Sequence, residues 1–257
     1  MDCVITAGGA PGPEDPLYPY TNGKSKALIE MNGRTMLERV VDALQGSQSV
    51  DNVIVVGLGD DMGMQFNRPV QHLPDQGSLV GNAIGGIQLA RSQNPDSEMV
   101  IVGSADIPTI TPEMVDEFVA SCQPFDCAMY YNFVTQKVME ARFPGSNRTF
   151  VKLKGANVAG GDMILVRASL ADSHLDLWEA LANGRKHAWM LARVVGLRFL
   201  LKFLFRRIGP DEIAQTFERI IDAPARVLLS PHAEMAMDAD KPHQVDLLRR
   251  DLTERGA

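Results

Sequence analysis

A chain of 257 residues, 45% hydrophobic and 22% charged, has the makeup of an ordinary globular protein with ample apolar material for a core. Its formal net charge of -7 argues against a general nucleic-acid-binding surface, while leaving room for a local basic pocket. Cys3, Cys122 and Cys127 make neither a C-x-x-C pair nor a zinc spacing, and read as reduced, buried thiols of a cytoplasmic protein.

The chain opens on Cys3-Val4-Ile5, an apolar run that reads as a buried strand and leaves no room for a signal peptide. Ala7-Gly8-Gly9-Ala10 follows, then a Pro- and Gly-rich loop carrying Lys24 and Lys26. Residues 27–31 read as a short strand, and Asn32-Gly33 as a turn. A helix is predicted over 35–44, with Thr35 as N-cap and Glu38 completing a capping box. Residues 53–57 form the next core strand, apolar throughout as a strand covered on both faces should be. A short strand at 70–74 leads through Asp75-Gln76-Gly77-Ser78 into a helix over 79–90. Residues 99–102 are a further strand, and Thr111-Pro112 starts a helix with Pro at its first position. Strand and helix alternating at this spacing predict a parallel, doubly wound sheet.

The second half reads less regularly. Strands are predicted at 127–131, 137–140 and 150–153, and Gly160-Gly161-Asp162 reads as a turn into a strand ending at Val166, equally a second substrate-binding turn or a simple one. Helical patterns cover 175–191, 198–207 and 210–221; a late strand spans 226–229 and a last helix 245–252. With no repeat and no linker, the expectation is a single domain over 1–257, with a regular half about 1–120 and a less regular half about 121–257.

Ligands of open parallel sheets sit at the carboxyl ends of the strands. The Gly8-Gly9 loop lies there, where glycine lets backbone N–H groups approach a phosphate and a lysine adds balancing charge. The loop is neither a P-loop nor a G-x-G-x-x-G fingerprint. Gly77-Ser78 and Asp106 fall at the same edge. Asp106 reads equally as a turn residue before Pro108 or as one carboxylate of a Mg²⁺ site, with Asp238 or Asp240 as the second; both late aspartates also suit capping of the last helix.

Together TAGG at the N-terminus, Lys26-Ala27-Leu28 before Asn-Gly, SADIP after a core strand and DADKP near the end resemble the MobA-like nucleotidyltransferases. The resemblance implies a three-layer α/β/α fold with a mostly parallel, Rossmann-like sheet of the GT-A-like nucleotide-diphospho-sugar transferase type. It implies a triphosphate held by Ala7, Gly8, Gly9, Ala10 and Lys26, base and ribose near Gly77 and Ser78, and Mg²⁺ held by Asp106 and Asp240, with Lys26 and Asp106 catalytic. The implied reaction transfers NMP from an NTP to a small phosphorylated or hydroxyl acceptor, such as a sugar phosphate, and releases pyrophosphate. Two departures stand out: Pro11 to Gly23 holds no arginine, where the family's signature loop usually has one, and it carries Glu14 and Asp15. A GT-A glycosyltransferase would want D-x-D where this chain has Ser104-Ala105-Asp106; the missing arginine motivates a third reading, a nucleotide-binding regulatory protein.

Lys137, Arg142, Arg148, Lys152 and Lys154 offer positive charge for an acidic acceptor, or simply face solvent. Residues 194–208 place Arg198, Lys202 and Arg206 as one basic stripe on an apolar helix. Such a helix either lies on an anionic membrane surface as a peripheral contact or is buried in the core or a homodimer interface; the second reading is favoured.

Overall fold

The computed structural model describes residues 1–173 and 208–256. The strands, in chain order, are β1 (Cys3–Thr6), β2 (Glu30–Met31), β3 (Arg34–Thr35), β4 (Val53–Val56), β5 (Gln71–Leu73), β6 (Met99–Ser104), β7 (Met129–Thr135), β8 (Val151–Lys152), β9 (Asn157–Arg167) and β10 (Ala225–Ser230). The helices are α1 (Tyr18–Thr21), α2 (Met36–Gly46), α3 (Leu79–Gln93), α4 (Pro112–Ser121), α5 (Gln136–Arg142), α6 (Pro210–Ile221) and α7 (Pro242–Glu254).

Eight strands form one sheet in the order β10-β7-β9-β6-β1-β4-β5, with β8 against β9. β6, β1, β4 and β5 run parallel, as do β10 and β7. β9 is inserted antiparallel to both β6 and β7, so the sheet is mixed rather than wholly parallel. Successive side chains of a strand point to opposite faces, and here both faces are covered. Cys3, Ile5, Val53, Val55 and Ile101 pack against α2, α4 and α7 through Leu37, Val40, Val41, Val115, Val119 and Leu248. Val4, Ile54, Val56, Val100 and Val102 face the other way, onto Ile87 and Ala90 of α3 and Ile221 of α6. This gives the expected three-layer α/β/α architecture.

Local chemistry explains the elements. Thr35 caps α2 and Glu38 returns to the Thr35 N–H at 2.7 Å, the capping box read from the sequence. Asn32 and Gly33 both take positive φ, the geometry a two-residue hairpin requires, and pair β2 with β3.

Three expectations change. Residues 27–31 are a 3₁₀ turn at Lys26–Leu28 followed by the short β2, because the Ser25 hydroxyl accepts from the Ala27 N–H. Residues 137–140 lie in α5: the Thr135 hydroxyl caps the Val138 N–H, and Gln136, Lys137, Met139 and Glu140 are good helix formers. Gly160-Gly161-Asp162 makes no turn but lies inside β9. Glycine is required there because a Cβ at Gly161 would stand 2.9 Å from the Asn132 carbonyl oxygen of β7. The helices expected at 175–191 and 198–207 fall outside the described residues. So does the basic stripe of 194–208, apart from its last residue, Ile208, which is buried beside Phe133, Leu153 and Ile213. Among the described residues no helix is long and apolar enough to cross a membrane.

The last helix is tied down by charge. The buried carboxylate of Glu234 accepts from Arg142 Nε at 2.8 Å and Arg255 Nη2 at 2.6 Å, while Asp251 takes Arg142 Nη2 at 2.6 Å. Removing one partner of such a cluster strands the others. The arginines are about a third exposed, which softens the loss. Glu234→Ala is therefore expected to lower the unfolding free energy by about 2 kcal/mol, read from urea denaturation.

Candidate active site

The site forms where β1 and β6 end, with the end of β4 packed against the loop after β1. Gly57, at the end of β4, has φ +103°, and a Cβ there would stand 2.4 Å from the Gly8 Cα. The loops after β1 and β4 thus touch backbone to backbone, which only glycine permits. A Cβ on Gly8 would in turn lie 2.8 Å from Asn82 Nδ2.

The long loop after Gly9 turns its acids outward. Glu14 and Asp15 are exposed, and Asp15 Oδ1 accepts from its neighbour Leu17 N–H at 2.8 Å. Lys24 is exposed as well. Ser25 is buried; its hydroxyl donates to the Ala7 carbonyl at 2.6 Å, so the turn bearing Lys26 is fastened to the end of β1.

Lys26 reaches across the sheet edge. Its ammonium is ion-paired with Asp106 Oδ2 and, at 2.6 Å, with Asp240 Oδ1. Burial alone pulls the lysine pKa down, but the two carboxylates outweigh it and hold the pKa well above the usual value. Asp106 lies in the turn after β6, buried, with Ala239 N–H bonded to its carbonyl at 3.1 Å. Asp240 is half exposed, its backbone N–H held by Gln244 at 3.1 Å. Asp238 is buried and paired with Arg148.

Among the described residues, Asp106, Asp238 and Asp240 bring carboxylate oxygens within 4.8 Å of one another. Asp106 Oδ1 is buried with no hydrogen-bond partner. An all-oxygen, multiply anionic donor set with a spare buried oxygen fits a hard divalent cation such as Mg²⁺.

A cavity of about 830 Å³ spreads over this edge. Of the residues expected from sequence, Ala7, Gly8, Gly9, Lys26, Gly77, Ser78, Asp106 and Asp240 all line it, while Ala10 is exposed and does not. Ser78 caps α3 through the Gly81 N–H at 2.9 Å, which places Gly77-Ser78 at a helix N-terminus. Arg142 and Arg148, candidates for acceptor charge, are engaged by Glu234 and Asp238; Lys137, Lys152 and Lys154 are off the cavity.

Sequence reading missed Ser25 and Asn82, and it named Asp162 only as part of a turn, with no role for its carboxylate. Asp162 is a lining residue on β9 whose Oδ2 is buried and unpartnered. Burial, then the negative charge of Asp106, push its pKa up to about 8 against the opposing pull of Arg148 and Lys26. The available signal was a lone acid at the head of the apolar run Met163-Ile164-Leu165-Val166.

A sequence model of the MobA-like NTP transferase domain matches residues 3–140. A hypothetical transferase from Thermus thermophilus is 32% identical, with 95% of this chain and 98% of that one covered and a TM-score of 0.78. The 2-C-methyl-D-erythritol 4-phosphate cytidylyltransferase of the same organism shares the fold at 14% identity, 98% coverage of both chains and a TM-score of 0.57. A nucleotidyl transferase from Methanothermobacter does so at 13% identity, 99% and 98% coverage, and a TM-score of 0.55.

The raised pKa of Asp162 has a sign that can be checked. Between roughly pH 4 and 8 the folded protein keeps a proton on Asp162 that the unfolded chain has lost. Folding stability therefore falls as pH rises through that window, and Asp162→Asn removes the loss. The Tm of the variant should exceed that of the wild type by a margin that grows from pH 5 to pH 8 and then levels off. Thermal melts of the two proteins across this range measure it; a margin independent of pH would refute the assignment.

Proposed function

The chain belongs to the MobA-like NTP transferase family, and we propose that it is a Mg²⁺-dependent nucleotidyltransferase that moves NMP from an NTP to a small-molecule acceptor. The observation that carries the reading is the Lys26 ammonium gathered with Asp106 and Asp240 beside the Gly8-Gly9 loop, in one cavity. A cation, a carboxylate cluster and side-chain-free backbone at strand ends are the parts that a triphosphate and its metal need.

In this reading the backbone of Ala7 through Gly9 cradles the phosphates, and Gly77 and Ser78 lie along base and ribose. An acceptor oxygen attacks the α-phosphorus in line, and pyrophosphate leaves with the electrons of the bond to the α-phosphorus. Lys26 lies beside the charge that develops, and needs no nucleophilic partner to act. Asp106 and Asp240, with Asp238 behind them, would hold Mg²⁺, which when bound neutralises charge on the phosphates and the departing pyrophosphate. The reading treats the chain as one domain, with nucleotide in the half before about residue 120 and acceptor beyond it. The cytidylyltransferase among its structural neighbours, named for a phosphorylated acceptor, supports transfer to a small molecule. Three buried, free cysteines suit a cytoplasmic enzyme.

The expected test outcome is specific. Lys26→Ala and Asp106→Asn should each lower NTP-dependent pyrophosphate release by about 100-fold or more while retaining the wild-type far-UV circular dichroism. Pyrophosphate release is assayed with each of the common NTPs over a panel of small acceptors. Undiminished turnover in either variant removes that residue from the chemistry.

A further inference from the structure

β9 is distorted beside the cavity. Tyr131 of β7 pairs with Ile164 and Phe133 with Gly160, so Gly161, Asp162 and Met163 together oppose Asn132 alone. On its other edge the ladder to β6 ends at Gly103 against Met163. Asp162 thus sits in a bulge, one residue beyond the last rung, which is how strands re-aim a side chain next to a site. Its Oδ2 is buried and finds no hydrogen-bond donor in the protein, yet the residue lines the cavity. A buried acceptor without a partner is costly to leave so, and calls for a donor supplied from outside.

The charges around it decide what that donor is. Among the described residues that line the cavity, Lys26 is the only lysine or arginine, and it already serves Asp106 and Asp240. Arg148 is engaged by Asp238. A phosphate dianion beside Asp162 would meet the negative charge of Asp75, Asp106 and Asp240, which line the same cavity, with no counter-ion to spare. A hydroxyl meets an acceptor that lacks a donor. Next to it, Tyr131 lines the same cavity, its ring packed 5.5 Å from Phe217 and 5.0 Å from Phe133, an apolar wall for a carbon skeleton.

We propose that Asp162 positions the second substrate by accepting a hydrogen bond from its attacking hydroxyl, which makes the acceptor an alcohol rather than a phosphate monoester. The inference rests on the nucleotidyltransferase reading and narrows it. The hydroxyl oxygen forms the new bond to the α-phosphorus, the bond from that phosphorus to the bridging oxygen breaks, and pyrophosphate takes the electron pair. The hydroxyl proton, directed at Asp162 Oδ2, passes to solvent.

The test uses full-length wild type and Asp162→Asn, each α-³²P-labelled NTP with Mg²⁺, and a deproteinised bacterial metabolite extract as the acceptor source. Half of the extract is first treated with immobilised alkaline phosphatase, which is removed before the NTP is added. Label transfer should survive phosphatase treatment of the extract. In Asp162→Asn it should fall about 10- to 100-fold, with more extract needed for half-maximal rate, while NTP affinity by calorimetry stays within about twofold of wild type. Transfer abolished by the phosphatase, or transfer by the variant equal to wild type, overturns the proposal and leaves the nucleotidyltransferase reading standing. Binding of NTP with no transfer from either extract overturns the transfer reading and this inference with it. Loss of NTP affinity in the variant assigns Asp162 to the nucleotide instead and also overturns the proposal.

Discussion

Everything at the sheet edge depends on one cation shared by two carboxylates. Lys26 and Asp240 are 214 residues apart in sequence, yet their charged atoms lie 2.6 Å apart, with Asp106 on the other side of the ammonium. Acids brought this close repel one another, and burial raises the cost further. The lysine offsets both, so the loop after β1, the turn after β6 and the segment before α7 have reason to converge. Smaller bonds fix each participant in place: Ser25 to the Ala7 carbonyl, Ala239 to the Asp106 carbonyl, and Gln244 to the Asp240 N–H. The arrangement supplies a pool of negative charge with one movable counter-ion, and a bound triphosphate would compete for that counter-ion directly.

The distribution of arginines separates structure from site. Arg142 and Arg255 are drawn to Glu234 and Asp251, locking α5 to α7. Arg148 is spent on Asp238, one of the three clustered aspartates. Positive charge that looks available in the sequence is therefore consumed inside the fold, and the cavity stays acid-rich. That is why a simple count of basic residues between β7 and the C-terminus overstates the appeal of this chain for a phosphorylated acceptor.

Much of the fold was legible because its signals are local. β1, β4 and β6 announce themselves as unbroken apolar runs, and Thr35 with Glu38, Thr111 with Pro112, and Asn32 with Gly33 mark ends and turns by chemistry a few residues wide. What escaped is non-local. Residues 137–140 hold a short apolar pair, Val138-Met139, that a strand could carry, and only the Thr135 cap and the placement of β7 just upstream make them a helix. Insertion of β9 between β6 and β7 depends on pairings far apart in sequence, such as Gly103 with Met163, so two glycines in mid-strand looked like a turn. In the candidate site, the glycines, Lys26 and the aspartates were legible by motif. Asp162 was legible only as part of a turn, because its meaning lies in a bulge and in an unpartnered oxygen, and neither is written in spacing.

The contact between Gly57 and Gly8 sets a limit on how this protein can change over evolution. Gly8 lines the cavity with main chain and Gly57 packs against it, so any substitution at Gly57 drives a Cβ into Gly8. A floor of that kind has no side chains to exchange, so it is indifferent to which ligand rests on it and closed to tuning. Variation is left to the walls, where Asp75, Asn82, Tyr131 and Asp162 present replaceable side chains. Relatives with the same floor are free to diverge in what they join to a nucleotide, and the record of that divergence should be sought in those four positions.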